Sequence, residues 1–372
     1  MKKILPLFIC ILMFACKEEK KEQAQVDEQE EVNDGPIQWL TFNGETNGKN
    51  VVLISGDEEY RSEESMPQLA KILAEHHGFN CTVLFAQDPE QPGLVNANYV
   101  NHIPGLEALD KADLMIISTR FRALPDEQMK HIDNYLMAGK PVIGLRTATH
   151  AFNFKEEDVS SYKHYGNYYE GEKTEWEGGF GRLVLGENWR FHHGHHKHQS
   201  TLGVVVEEAK STGLLNGISD GDVWASADVY GVRLPLPGDS QPVVLGKVMN
   251  RKGEFDENDM FFGMKPSDDE VAKTNNNGDD VSAPLMPVAW TKSYQLPGGK
   301  KGKSFTSTAF SAVDLTIEGT RRLVVNAAYW TLDLLVPSNA KVDIVGSYKP
   351  TQFEFRKDEY WPQTNLRVED LK

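Results

Sequence analysis

Five of the chain's 11 histidines fall in one short segment, Trp189-Arg190-Phe191-His192-His193-Gly194-His195-His196-Lys197-His198. Neutral imidazole is the commonest ligand for zinc and similar divalent metals, and a catalytic site of that kind uses about three protein ligands with one position left open. On an extended segment His193 and His195 point to one face. A third ligand must then come from elsewhere, and His150, Asp228 and Glu59 are the candidates. The metal-ligand candidates carried forward are His150, His192, His193 and His195, with a divalent metal such as zinc. No His-Glu-x-x-His helix accompanies the cluster, and a solvated histidine-rich loop with adventitious metal affinity is the competing reading. Upstream, Tyr162, Tyr165, Tyr168, Tyr169, Trp176, Phe180, Trp189 and Phe191 are interleaved with glycine and polar residues. Aromatic faces beside polar edges suit sugar rings, although aromatic stretches also serve as ordinary core.

Such groups need elements to position them. Val51-Val52-Leu53-Ile54-Ser55 is a continuous apolar run, as a parallel strand buried on both faces requires. Met66, Leu69, Ala70 and Leu73 then repeat at helical spacing, with Pro67 early and Gly78 as a stop. Cys81 to Phe85 and Leu114 to Ser118 read as strands, Pro125 to Ala138 as a helix, and Pro141 to Leu145 as a fourth strand. This alternation predicts an α/β fold with a doubly wound parallel sheet. Ligands of such sheets bind beyond the carboxyl ends of the strands. Three segments lie there: Gly56-Asp57-Glu58-Glu59-Tyr60-Arg61, Thr119-Arg120-Phe121-Arg122 and Arg146-Thr147-Ala148-Thr149-His150. Each is rich in groups that hold or transfer protons, with ion pairing across the loop ends as the alternative use of each arginine.

Several functions are excluded. With Lys+Arg 39 against Asp+Glu 55, the 372 residues carry a formal net charge of −16, which argues against a nucleic-acid partner. No Gly-x-Gly-x-x-Gly follows the first strand, so no nucleotide is expected. Gly302-Lys303-Ser304 looks like the end of a phosphate loop, but Pro297 stands where its first glycine belongs, and Pro297-Gly298-Gly299-Lys300-Lys301 reads as a surface hairpin.

The first residues read as targeting. Met1-Lys2-Lys3, an apolar run from Ile4 to Phe14 and Leu12-Met13-Phe14-Ala15-Cys16 form a lipoprotein signal peptide over 1–15, with Cys16 as the lipidated start of the mature chain. The expected location is a bacterial outer membrane, facing the periplasm or the surface, with a lipid anchor as the sole membrane contact. Residues 16–36 carry three lysines against eight acids and read as a disordered acidic tether. Of the three cysteines, Cys81 lies in an apolar strand and reads as core rather than nucleophile.

The folded domain is expected over 37–350, with a tail over 351–372. Val204 to Val206, Val243 to Leu245 and Pro287 to Trp290 read as strands, and Asp222 to Val232 as an extended segment carrying two acids. Residues 251–284 are charged and turn-rich and read as a flexible insertion. Glu318 to Leu334 is a helix striped by Leu323, Ala327, Trp330 and Leu334, and Val342 to Val345 is a closing strand.

Leu53 to Pro67 (Leu-Ile-Ser-Gly-Asp-Glu-Glu-Tyr-Arg-Ser-Glu-Glu-Ser-Met-Pro), Gly144-Leu145-Arg146-Thr147-Ala148-Thr149-His150-Ala151-Phe152, Asn188 to Gly194, Asp228-Val229-Tyr230-Gly231 and Arg321 to Trp330 together resemble the trehalose-utilisation (ThuA-like) family, in order over about residues 48–350. The resemblance implies a flavodoxin-like domain, related to class I glutamine amidotransferases and carrying long insertions, in bacteria that process trehalose and other glycosides, often as 3-keto sugars. Amidotransferase activity does not carry over. The turn where those enzymes hold a cysteine reads Thr147-Ala148-Thr149-His150, and without a thiolate no glutamyl thioester forms. What is implied is a lipoprotein enzyme acting on a saccharide or keto-sugar with a divalent metal. His150, Glu59 and Asp228 are its proton-transfer candidates, and Tyr60, Arg61, Arg146, Trp189, Tyr230 and Trp290 hold the sugar. The alternatives are a non-catalytic glycan-binding lipoprotein serving partner enzymes or an importer, and a structural surface protein.

Overall fold

The computed structural model describes residues 35–372 together with Met1. The signal, Cys16 and nearly all of the acidic tether lie outside the described residues. Among those described, no helix is long and apolar enough to cross a membrane.

Five apolar or small-residue runs build the parallel centre. They are β2 (Asn50–Gly56), β3 (Asn80–Phe85), β4 (Leu114–Thr119), β5 (Val142–Leu145) and β11 (Lys301–Ser307). Their spatial order is β3-β2-β4-β5-β11, all neighbours parallel. Numbered by sequence, that is 2-1-3-4-5, the flavodoxin-like doubly wound order. Alternate residues serve opposite layers. Val51 and Leu53 face α1 (Ser62–His77) and α3 (Glu318–Thr331), while Val52 and Ile54 face α2 (Asp126–Met137).

α1 ends as its sequence requires. Gly78 takes φ 68°, where an L side chain is strained, and the Gly78 and Phe79 amides reach back to the Ala74 and Leu73 carbonyls at 3.0 and 3.1 Å. Pro67 does not sit at the helix start. The helix begins five residues earlier, at Ser62, so Pro67 lies in its second turn.

The sheet continues past β11 in antiparallel fashion, through β10 (Met286–Gln295), β8 (Gln241–Asn250), β6 (Gln199–Val205) and β7 (Trp224–Ala225). A further strand, β9 (Glu270–Val271), pairs with β8, and β1 (Trp39–Phe42) borders β3. The turn at Pro297 is a hairpin, as expected. The strand that follows it, β11, is central rather than superficial: Ser304, Thr306 and Ser307 are buried, with the Ser304 and Thr306 hydroxyls donating to carbonyls.

Three other expectations change. Residues 251–284 pack Phe262, Met264, Ala272 and Val281 into the core, so this insertion is an integral layer. Val342 to Val345 forms no strand; Val342 is buried and its carbonyl accepts from Arg321 Nε at 2.6 Å. The tail from 351 is not peripheral, because Phe353, Trp361 and Val368 have no exposed surface. Trp361→Ala should therefore lower unfolding free energy by about 3–5 kcal/mol, the usual loss for a large buried aromatic. Urea denaturation checks this, and a change under about 0.5 kcal/mol, the level of a surface substitution, would show that the C-terminal segment is not part of the core.

Candidate active site

The carboxyl ends of β2, β4 and β5 bring three loops to one edge. The Arg120 amide donates to the Gly56 carbonyl at 2.9 Å, the Phe121 and Arg122 amides to the His150 and Ala151 carbonyls at 2.8 Å, and Thr147 Oγ1 to Asp57 Oδ2 at 2.6 Å. Each loop carries a non-glycine residue at positive φ: Arg61 at 60°, Phe121 at 50° and Arg146 at 45°. Lys197, in the histidine segment, is at 63°. Four of the seven such residues among the described ones thus border this edge, and strain of this sort concentrates where a site over-determines the backbone.

Asp228 is the centre. Its backbone is laid against the histidine segment by the His193 and Gly194 amides, which donate to the Val229 carbonyl, and by the Gly231 amide, which donates to that of Phe191. Its carboxylate is buried. Arg146, equally buried, donates through Nη2 to Asp228 Oδ1 at 2.9 Å and to Tyr60 Oη at 2.8 Å, and through Nη1 to the Asp228 and Thr308 carbonyls at 2.7 and 2.8 Å. The guanidinium lies over the Tyr230 ring at 3.6 Å. Burial alone would raise the Asp228 pKa, but Arg146 and the hydrogen bonds from His192 and His196 hold it well below the usual carboxylate range.

An ionised carboxylate only accepts hydrogen bonds, so His192 donates through Nδ1 to Oδ2 at 2.8 Å and His196 through Nδ1 to Oδ1 at 3.1 Å. His196 Nε2 faces Glu59 Oε1 at 3.2 Å. Burial works against charge on His196, yet its bonds to Asp228 and Glu59 raise its pKa to about 9. His150 is the opposite case. Burial, reinforced by Arg120 and Arg146, pushes its pKa well below 6.5, so its ring is neutral at physiological pH.

These groups close into a ring of contacts, called the basin below. Arg120 lies over Phe121 at 4.6 Å, and Phe121 meets His150 at 4.9 Å. His150 meets Trp189 at 5.5 Å, Trp189 meets His192 at 5.8 Å, and His192 meets His196 at 4.8 Å. Glu59 completes the circuit, reaching back to Arg120 Nε at 4.0 Å. The Tyr230 ring adjoins those of His150, Trp189 and His192 at 6.1, 6.5 and 5.5 Å. One arc of the wall is aromatic and the other polar. Among the described residues, His192, His196 and Asp228 are the group of three donors placed to share a metal ion, with one ligand atom of each lying within 4.8 Å of the others.

Against known proteins, no family model matches the chain and no curated protein does. Among solved structures, a protein named as thua-like from Parabacteroides merdae ATCC 43184 is similar at 12% identity, with a TM-score of 0.44, covering 84% of this chain and 99% of that one. A second protein so named, from Bacteroides uniformis ATCC 8492, is similar at 12% identity and a TM-score of 0.36, over 76% and 91%. The fold rests on the strand order itself.

The structure brings together most of the residues singled out by sequence: Glu59, Tyr60, Arg146, His150, Trp189, His192, Asp228 and Tyr230. Four others stand apart. Arg61 is buried under the Tyr360 and Trp361 rings and pairs with Glu63 and Glu64. Trp290 is core, its Nε1 donating to the Leu185 carbonyl at 2.6 Å. His193 is buried away from the donor group, its carbonyl held by Asn275 Nδ2 at 3.1 Å, and His195 stacks on His198 at 4.1 Å. The reason is local. Residues 195–198 turn, with the His198 and Gln199 amides donating to the His195 carbonyl, so His192 and His196 converge in place of His193 and His195. His196, Arg120 and Phe121 were not singled out as ligands or binding residues; the spacing of four between His192 and His196 was the available signal.

Asp57 offers a direct test of this electrostatic picture. Burial, aided by Glu58, raises its pKa to about 6, against hydrogen bonds from Thr147 and the Tyr60 and Glu59 amides. The fold thus favours the protonated form. Its contribution is complete below the ordinary value of 3.8 and is lost as pH rises through about 6. The melting temperature of wild type relative to Asp57→Asn should accordingly fall between pH 4 and 8; parallel curves would contradict the assignment.

Proposed function

We propose that this chain is a metal-assisted enzyme of saccharide metabolism, acting on a trehalose-type sugar or a 3-keto-glycoside, with His192, His196 and Asp228 holding the metal. The observation that carries this reading is the ring of side chains, half aromatic and half polar, with His192 and His196 on its polar arc and Asp228 behind them. Two imidazoles and a carboxylate suit a divalent cation such as zinc, which would take the place of the imidazole protons now directed at Asp228. Such a metal polarises a sugar carbonyl or lowers the pKa of bound water.

The remaining roles belong to the chain's own groups. Trp189 and Phe121 offer faces to the C–H side of a pyranose, and Glu59, Arg120 and His192 offer edges to its hydroxyls. His150, neutral and set between Phe121 and Trp189, accepts or returns a proton. In the metal-free network four acids (Asp57, Glu58, Glu59 and Asp228) stand beside Arg120, Arg122, Arg146 and His196, so the arginines' charges are already answered.

Tag-free protein should bind about one zinc per chain. His192→Ala or His196→Ala should weaken this by more than the roughly 10–100-fold typical of an outer-shell partner. Turnover of 3-keto-glycosides should vanish in chelator and in His150→Ala. Titration calorimetry and a turnover screen check both, and activity unchanged in chelator would remove the metal from the account. A second reading, a non-catalytic glycan-binding lipoprotein, is favoured by one observation: His196 between two carboxylates completes the network without a cation. Sugar binding without turnover at saturating metal would select it. In both readings Cys16 anchors the protein to the outer membrane, in the periplasm or at the surface. Cys16→Ser should shift it to the soluble fraction, and retention in the membrane fraction would contradict the anchor.

A further inference from the structure

Among the described residues five aromatic side chains are exposed: Trp39, Tyr168, Phe191, Phe255 and Phe355. Four of them border the basin or its histidine segment. Phe355 lies against Arg120 at 4.8 Å, Tyr168 against Phe121 at 5.8 Å, and Phe255 against His198 at 4.8 Å, while Phe191 covers Gly231 so closely that a Cβ there would strike its ring. Trp39 is the exception, and the concentration of the other four here points to a surface kept open for a ligand.

Phe355 and Tyr168 adjoin successive members of the ring, Arg120 and Phe121, and extend that wall outward. Phe355 is 55% exposed and Tyr168 58%. Phe355 is fixed from both sides: Phe353 is fully buried against Tyr60 and His196 at 4.9 and 5.4 Å, and Asn98 Nδ2 donates to the Arg356 carbonyl at 2.9 Å. Arg120 itself is paired with Glu58 and lies 4.0 Å from Glu59, so its charge is already answered. Phe355 and Tyr168 therefore make an apolar lip beside Arg120 and Phe121, not an anion site.

We propose that this lip is an aglycone subsite. The proposal rests on the saccharide reading and adds where the second ring of such a ligand lies: with one ring among His150, Trp189 and His192, the ring glycosidically linked to it rests on Phe355 and Tyr168. The chemistry recognised is a ring with an apolar face, which a second sugar or an aromatic aglycone supplies.

Titration calorimetry of the full chain with D-glucose, maltose and phenyl β-D-glucoside tests it. Wild type should bind a two-ring ligand more tightly than glucose, and the pair Phe355→Ala and Tyr168→Ala should remove about tenfold of that affinity while leaving glucose unchanged. Loss confined to maltose or to phenyl glucoside identifies the kind of ring. Phe355→Leu, which keeps apolar bulk on Arg120, should melt as wild type does yet bind the two-ring ligand more weakly. Equal loss for glucose, or no loss for either two-ring ligand, overturns the subsite. If glucose binds and two-ring ligands bind no better, the subsite alone falls. If none of the three binds, the saccharide reading falls with it.

Discussion

The ion pair between Arg146 and Asp228 has no exposed side-chain surface, and Tyr60, His192, His196 and Tyr230 take their places against it. A buried pair gains net stability only where further hydrogen bonds satisfy both partners. Here Arg146 reaches the Asp228 and Thr308 carbonyls and the Tyr60 hydroxyl besides the Asp228 carboxylate and lies over the Tyr230 ring, leaving only its Nε without a partner. Asp228 in turn keeps both oxygens for His192 and His196. Removing either partner would leave a charge in the protein interior, so the pair fixes a geometry more than it adds stability. The distance between the two imidazoles follows from one carboxylate serving both.

That pair depends on the backbone at the end of β5. The strand stops at Leu145, and Arg146 enters the left-handed region, turning its side chain inward beneath the following loop. The turn is held from the neighbouring strand, β4, by the Phe121 and Arg122 amides on the carbonyls after it, and from the next, β2, by Thr147 donating to Asp57. Parallel strands ending at one edge make such cross-loop bonding available, which is why the chemistry gathers there.

Much of this was legible in sequence. The apolar runs of β2, β4 and β5 identified the parallel sheet, and the loops after them contributed Glu59, Arg146 and His150 directly. What escaped did so for physical reasons. β11 is polar because its serine and threonine hydroxyls are satisfied by carbonyls inside the fold, so it lacks an apolar signature. His193 and His195 were paired on the assumption of an extended chain, whereas a turn closed by His195 brings His192 and His196 together. Phe353 reaches the site across nearly three hundred residues of sequence, and no local pattern reports a contact of that range. Arg61 looked like a ligand because of its loop, but two adjacent glutamates, Glu63 and Glu64, claim its charge.

The central claim is that Asp228, held by Arg146, gathers His192 and His196 into a metal-binding group. Anomalous diffraction at the zinc edge, from crystals of tag-free residues 36–372 grown with zinc, tests it most directly. The account predicts a peak within coordination distance of His192, His196 and Asp228. A peak at His193, His195 or His198, with His192 and His196 still hydrogen-bonded to Asp228, would contradict it.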